Sequence, residues 1–297
     1  MPNKLVQKIR YKINSTVKSN IFSRKQKMMR TKILDYYRNN PTDDTEIKQA
    51  VDYLSKHKLS NFYGDFQKKY NYKDIDVSVD KENGLPYVLV DGKQLYFKRS
   101  QNKRTVQLMF NGLRIEQDKD APHCYTDEKF NVETADVLAD IGCAEAYFSL
   151  LNIENLRKLY LFEQDKGWIE ALEATFRPWK EKVEIVQKYV SDRNSETEVR
   201  LDDFFRDKSP LPNFYKIDVE GAESSVLSGM EEILKTKPLK VALCTYHHAE
   251  DFVRFSQFFK ENGFEHRANS GVMIFQNDID MMQPPYFRKC LVKAERR

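Results

Sequence analysis

From residue 136 onward the chain repeats one unit: a short apolar run that closes on an acid, a glycine or another polar residue, then an amphipathic stretch. The runs cover 136–142, 158–165, 183–190, 214–219 and 239–246. They are largely apolar without strict alternation, the mark of strands buried on both faces. Between them, Trp168, Ile169, Leu172 and Phe176 recur at helical spacing, ending near Pro178. Val226, Leu227, Met230, Ile233 and Leu234 do the same, as do Phe252, Phe255, Phe258 and Phe259, a helix that Asn262-Gly263 stops. Strands alternating with helices predict βαβ units, with right-handed crossovers and helices on both faces of a mainly parallel sheet. Residues 264–268 and 271–275 are expected to pair as a closing hairpin.

The first 130 residues read differently. Ile33, Leu34, Tyr36 and Tyr37 form an apolar cluster that stops near Asn39, Asn40 and Pro41. Thr42 or Asp43 can cap a following helix, in which Ile47, Ala50, Val51 and Leu54 line one face. Runs 86–90 and 93–97 flank Asp91-Gly92, the strongest short-range hairpin signal. Residues 111–130 are polar and are predicted as an irregular loop. The expected organisation is an N-terminal helical and β-hairpin region, 1–130, serving acceptor binding or association, and a ligand-binding domain, 131–297.

Composition narrows the setting. The 297 residues are 40% hydrophobic and 12% aromatic, enough for a core, and no apolar stretch is long enough to span a bilayer. The N-terminus lacks the apolar stretch and cleavage site of a signal peptide. Cys124, Cys143, Cys244 and Cys290 are spaced neither as a disulfide scaffold nor as a zinc site, so a reducing cytoplasm is expected. Residues 1–32 hold ten Lys or Arg and no acid, while the remainder holds 39 basic residues against 45 acidic. Leu5, Ile9, Ile13, Val17 and Ile21 make an apolar stripe in the basic segment. Such a helix can pack on its own body, or lie on an anionic membrane surface or acidic partner. The interleaved aromatics and module expected of a nucleic-acid binder are missing. A homo-oligomer is compatible with the chain.

In a parallel sheet, ligands bind over the carboxyl ends of the strands. The residues ending the runs are Asp140 and Gly142, Glu163 and Asp165, Ser191 and Asp192, Asp218 and Glu220, and His247. Gly142 lets a ligand approach the backbone closely. Glu163, 21 residues later, is placed to accept hydrogen bonds from ribose hydroxyls. Asp192 is expected at an adenine amino group. Cys143, Ala144, Gln164 and Ser191 complete the expected cofactor wall. The loop Gly142-Cys-Ala-Glu-Ala146 has a single glycine, and Glu145 stands where a pyrophosphate would sit. That disfavours NAD and favours a phosphate-free adenosine cofactor. S-adenosylmethionine fits, because its sulfonium and amino groups welcome acids such as Asp140 and Asp218.

Over residues 130–295 the chain resembles the FkbM-type methyltransferases. The telling stretch is Lys216-Ile-Asp-Val-Glu-Gly-Ala-Glu223, with Val226, Leu227 and Gly229 after it. Asp140-Ile-Gly142, Leu161-Phe-Glu163, Leu201-Asp202, Thr245-Tyr246-His247 with Glu250-Asp251, and Pro284-Pro285-Tyr286 support it. The departure is Ala144 and Ala146, where methyltransferases usually carry glycines. The resemblance implies a Rossmann-like seven-stranded class I fold and an S-adenosylmethionine-dependent O-methyltransferase, often acting on hydroxyls of sugars in surface polysaccharides or secondary metabolites.

Transfer to a hydroxyl calls for a general base, and His247, Asp218 and His123 are the candidates, with His247 preferred. No spacing demands a metal and none is expected, although Asp218, Glu220 and His247 carry ligand atoms. Glu223 is expected as an acid at a helix N-terminus. Gln283-Pro-Pro-Tyr286 is similar to a motif of DNA-base methyltransferases. That motif must follow the fourth strand, so here it reads as a C-terminal turn. The expected partner is a small-molecule or glycan acceptor and no nucleic acid. The alternatives are a noncatalytic binding protein on a methyltransferase scaffold, and a methyltransferase for another small-molecule or nucleic-acid acceptor.

Overall fold

The computed structural model describes residues 4–276, 279–280 and 282–297, with side chains inside the first helix from residue 21 onward. The chain divides into two compact units, Met1–Gly64 with Gly271–Arg288, and Asp65–Ser270 with Lys289–Arg297. The division thus falls elsewhere than at residue 130. Among the described residues no helix is long and apolar enough to cross a membrane.

The first unit is built on helices α1 (Lys4–Asn39) and α2 (Thr45–Lys56). Met29 and Ile33 of α1 and Ala50 and Leu54 of α2 share a core with Leu59, Val272, Ile274, Met282, Tyr286 and Phe287. Asp44, not Thr42 or Asp43, caps α2, its Oδ1 accepting from the Glu46 and Ile47 amides at 2.8 and 3.1 Å. Arg30 donates to the Leu54 and His57 carbonyls at the other end. The stripe of Leu5, Ile9, Ile13 and Val17 lies outside the described side chains.

In the second unit, β1 (Ser78–Val79), β2 (Pro86–Val90) and β3 (Lys93–Tyr96) form a small antiparallel sheet. Asp91 and Gly92 both have positive φ, 48° and 79°, as the expected mirror-image turn requires. Next comes α3 (Lys103–Glu116), part of which falls in the segment predicted to be irregular. Asn111 and Gly112 depress its intrinsic propensity, but Asn102 caps it and Val106 and Phe110 are buried along one side. Packing overrides propensity here.

The chain continues through β4 (Val137–Ile141), α4 (Tyr147–Asn152), β5 (Lys158–Phe162), α5 (Lys166–Phe176), β6 (Val183–Val186), β7 (Tyr189–Val190), β8 (Glu198–Val199) and α6 (Leu201–Phe204). It ends with β9 (Phe214–Ile217), α7 (Glu223–Ser228), β10 (Leu239–Cys244), α8 (Asp251–Glu261), β11 (Glu265–Arg267) and β12 (Leu291–Arg296). The seven-stranded sheet has the order β11-β12-β10-β9-β4-β5-β6. Neighbours from β10 to β6 run parallel, and β12 runs antiparallel to β10 and β11. This is the mainly parallel α/β fold that the alternating pattern predicts. Ala139, Ile141, Tyr160, Phe162, Tyr215, Ile217, Val241 and Leu243 turn one face toward α6, α7 and α8, whose Leu201, Val226, Leu227, Phe255 and Phe259 complete the core.

Two details differ from the expected pattern. Tyr189 and Val190 do not prolong the third strand; β7 leaves the sheet and pairs with β8. The partner of β11 is β12, not 271–275. Buried along nearly its whole length, β12 needs neighbours on both sides, whereas Val272 and Ile274 belong to the core of the first unit. A local hairpin signal loses to burial.

Candidate active site

Register brings the strand ends into line. Val186, Phe162, Ile141, Ile217 and Leu243 form one row across five parallel strands. The next residues, Gly142, Glu163 and Asp218, therefore share a rim. After β6 the chain returns to the other side of β4, so the crevice between β4 and β9 is the switch point where α/β sheets bind ligands. A cavity of about 630 Å³ lies there, a size suited to a small-molecule site. Asp140, Gly142, Cys143, Ala144, Glu163, Gln164, Ser191 and Asp218 all line it. Asp192 does not: it is exposed, and only Ser191 of that pair faces inward. His123 and His247 are also absent from the lining, although His123 is buried and the His247 side chain is covered, both near Asp218.

The loop after β4 is strained at the positions where glycine is customary. Gly142, Ala144 and Ala146 have φ of 71°, 46° and 56°. Each alanine in the left-handed region costs about 1 kcal/mol. The loop thus keeps the turn of a glycine-rich loop with Gly142 as its single glycine. Glu163 braces it: Oε2 accepts from the Ala144 amide at 3.0 Å, and Oε1 from the Gln164 and Asp165 amides at 2.8 Å each.

Asp140 and Lys216 are register partners on adjacent strands, turned away from the α6–α8 face. The buried Lys216 ammonium lies 3.0 Å from Asp140 Oδ1 and donates to the Gly142 carbonyl at 2.8 Å. Burial works against its charge, but the carboxylates of Asp140 and Asp218 outweigh it and raise its pKa. Ser149 donates to Asp140 Oδ2 at 2.7 Å. Sequence reading passed over Lys216 as an actor; a lysine inside an apolar run is the signal that could have found it.

Asp218 sits between two tyrosines. Tyr246 donates to Oδ1 at 2.9 Å and Tyr125 to Oδ2 at 3.0 Å. Burial pushes the carboxyl up, but Lys216, both histidines and the Tyr246 hydroxyl outweigh it, so it is held ionised below its usual range. His247 Nδ1 lies 2.9 Å from Glu223 Oε1, and Nε2 lies 3.6 and 3.7 Å from Glu220 and Asp218. Burial opposes its charge; the carboxylates of Glu220, Glu223 and Asp218 win, raising it to about 9. The preferred base is therefore an imidazolium near neutrality, unable to accept a proton. Burial drives His123 the other way, to about 4, against the pull of Asp218. Its Nε2 lies 3.6 Å from Cys244 Sγ. Glu223 does occupy the start of α7, where it also accepts from the Val219 and Gly221 amides.

Among the described residues, two groups bring ligand-type atoms within 4.8 Å of one another: His123, Asp218 and Cys244, and Asp218, Glu223 and His247. The contacts just described occupy both.

A raised histidine pKa stabilises the fold most below the ordinary imidazole value and less as pH climbs through the folded one. Wild-type stability is expected to fall between pH 6.5 and about 9 by an increment that His247→Asn removes. Denaturant unfolding across that range measures it; identical pH slopes in both proteins would refute the charged imidazole.

The family model of the methyltransferase FkbM domain matches residues 94–266, more than half of the chain. The chain belongs to the FkbM methyltransferase family. Among solved structures, the FkbM methyltransferase from Methylobacillus flagellatus is similar at 18% identity and a TM-score of 0.41, over 54% of this chain and 43% of its own. The chain thus spans less than half the length of that FkbM relative. Precorrin-6y C5,15-methyltransferase from Geobacter metallireducens is similar at 13% identity and TM-score 0.39, over 57% and 85%. An rRNA methylase from Streptococcus thermophilus gives 15%, 0.37, 56% and 89%. No curated protein matches. FkbM domains use S-adenosylmethionine, and the cavity fits that molecule: it offers carboxylates to a cation and no phosphate cradle.

Proposed function

We propose that this FkbM-family chain transfers a methyl group from S-adenosylmethionine to a hydroxyl of a sugar, in a surface polysaccharide or a secondary metabolite. The observation that carries the reading is the convergence of Gly142, Glu163 and Asp218 on one rim, around a cavity without a phosphate cradle. The cofactor supplies an electrophilic methyl on a positive sulfur. Glu163 takes the ribose hydroxyls, while Trp168, Phe162 and Val190 give the apolar wall that an adenine needs. The loop 142–146 lets the cofactor approach the backbone. Asp218, the one base candidate on the cavity wall, is placed to receive the hydroxyl proton as the methyl passes from sulfur to oxygen, its S–C bond breaking to leave a neutral thioether. Tyr125 and Tyr246 aim its carboxylate, and His247, held by Glu223, supports its charge. Residues 65–130, which bring Glu116 and Tyr125 to the cavity, contribute to acceptor binding.

The sugar assignment rests on what the family resemblance implies, together with a wall rich in hydrogen-bonding groups. Mass spectrometry of cell-surface glycans, with and without the protein, tests it. A one-methylene difference on a sugar is expected; methylated RNA with unchanged glycans would sink it in favour of a nucleic-acid acceptor. Glu163→Ala is expected to weaken S-adenosylmethionine binding by about 10–100-fold, through the lost ribose contacts and the unbraced loop. Calorimetry reads this, and an unchanged dissociation constant removes Glu163 from the role.

A further inference from the structure

The wall of the cavity holds more acid than its own hydrogen bonds use. Asp140 is matched by Lys216 and Ser149, Glu163 by three backbone amides, and Asp218 by two tyrosines. Lys98 is committed to Asp165, and Lys188 to the Ser195 carbonyl. Two acids remain. Glu145, 8% exposed, is bonded only to its own backbone, and among the described residues no other donates to Glu116. Both line the cavity. Glu116 sits at the C-terminus of α3, where the helix dipole disfavours a negative charge. Glu145 is buried and Glu116 half-buried, and covered acids short of donors are costly to keep charged. They are accounted for when something brings a positive charge to them.

We propose that Glu116 and Glu145 receive the positive sulfur of the cofactor, so that the cavity tells the methyl donor from its demethylated product by charge. The proposal rests on the S-adenosylmethionine reading above and deepens it. S-adenosylmethionine carries one positive charge more than S-adenosylhomocysteine, and the two are otherwise alike but for the methyl group. Burial raises the carboxyl of Glu116 to about 7, helped by Asp218 and opposed by Lys216. Burial raises Glu145 to about 8, with Glu116 and Asp140 adding to the rise and its own backbone and Lys216 opposing it. Tyr125 and Tyr246 also face Glu116, and Cys143 faces Glu145. Near neutrality Glu145 largely holds its proton and Glu116 holds its own about half the time; a bound cation favours the ionised forms and expels these protons. Product, lacking that cation, is bound no better after ionisation, which favours its release.

Calorimetry of the full chain tests this with S-adenosylmethionine and S-adenosylhomocysteine, each in phosphate and in Tris, whose different ionisation heats report protons exchanged. Near neutral pH, the donor is expected to release about one proton more than the product. Its affinity should rise relative to the product's as pH increases to about 8. At that pH, Glu116→Gln and Glu145→Gln should each weaken the donor about 10-fold and the product less than about threefold. Equal proton counts for the two ligands in the wild type overturn the proposal without recourse to variants. An unchanged donor-to-product ratio in both variants does the same. A wild-type chain that binds neither ligand overturns the cofactor reading as well, so the two failures are distinguishable.

Discussion

Gly142→Ala is expected to lower S-adenosylmethionine affinity by more than about 100-fold and to cost the fold about 2–4 kcal/mol. An added Cβ would stand 2.0 Å from the Asp218 carbonyl oxygen and 3.1 Å from Val219 Cγ1. Neither side can retreat cheaply. The Asp218 amide donates to the Ile141 carbonyl at 3.1 Å, and Lys216 holds the Gly142 carbonyl at 2.8 Å. The φ of 71° adds strain for any L side chain. Relief has to come from parting β4 and β9 at the crevice where the ligand sits. Calorimetry and denaturant unfolding measure the two effects; affinity within a few-fold of wild type would remove the close approach from the account. Ala144→Gly provides the contrast: at φ of 46° it relieves about 1 kcal/mol of left-handed strain and gives up a similar amount to the freer unfolded chain, so both quantities should stay nearly unaltered.

Asp218→Asn should reduce methyl transfer to the identified acceptor by about 10²–10⁴-fold, the range for loss of a general base. Cofactor affinity should stay within a few-fold, since the amide keeps an acceptor oxygen and nearly the same volume. His247→Asn should lose less turnover, because that ring acts through the charge of Asp218 and is absent from the cavity lining. The low pKa of Asp218 also sets the acid limb of turnover at saturating cofactor: kcat should persist well below neutrality and decline when this carboxylate protonates, while donor affinity follows Glu116 and Glu145. Turnover of Asp218→Asn close to wild type would show that proximity alone suffices, or that another group takes the proton.

What the amino-acid string made legible, and what it hid, divides along a physical line. Strand ends are encoded locally: an apolar run stops, a polar residue follows, and the register does the rest. Gly142, Glu163 and Asp218 were readable for that reason, as was the Asp91-Gly92 turn, whose two positive φ values are a property of two residues. Asp192 was not readable, because a one-residue difference in where β7 ends decides whether Ser191 or Asp192 faces inward. The charge state of His247 was hidden too. It depends on Glu223, which folds back across a tight turn with φ of 55° and 102° at Glu220 and Gly221. Glu116 lay in a stretch whose Asn, Gly and charged residues resemble a loop, and only burial of Val106 and Phe110 makes it helix. Local rules place a side chain on an element; protonation and exposure belong to the neighbours that tertiary structure brings.

The core of the helical unit draws on Val272, Ile274, Met282, Tyr286 and Phe287, some 200 residues beyond α2 in the chain. During synthesis that unit therefore cannot close until residue 287 has left the ribosome, and its two helices wait with an uncovered apolar face. Removing the first 64 residues would in turn leave those five side chains without their helical partners. A truncation that leaves the second unit soluble has to excise the 271–288 segment as well and rejoin β11 to β12 with a short turn.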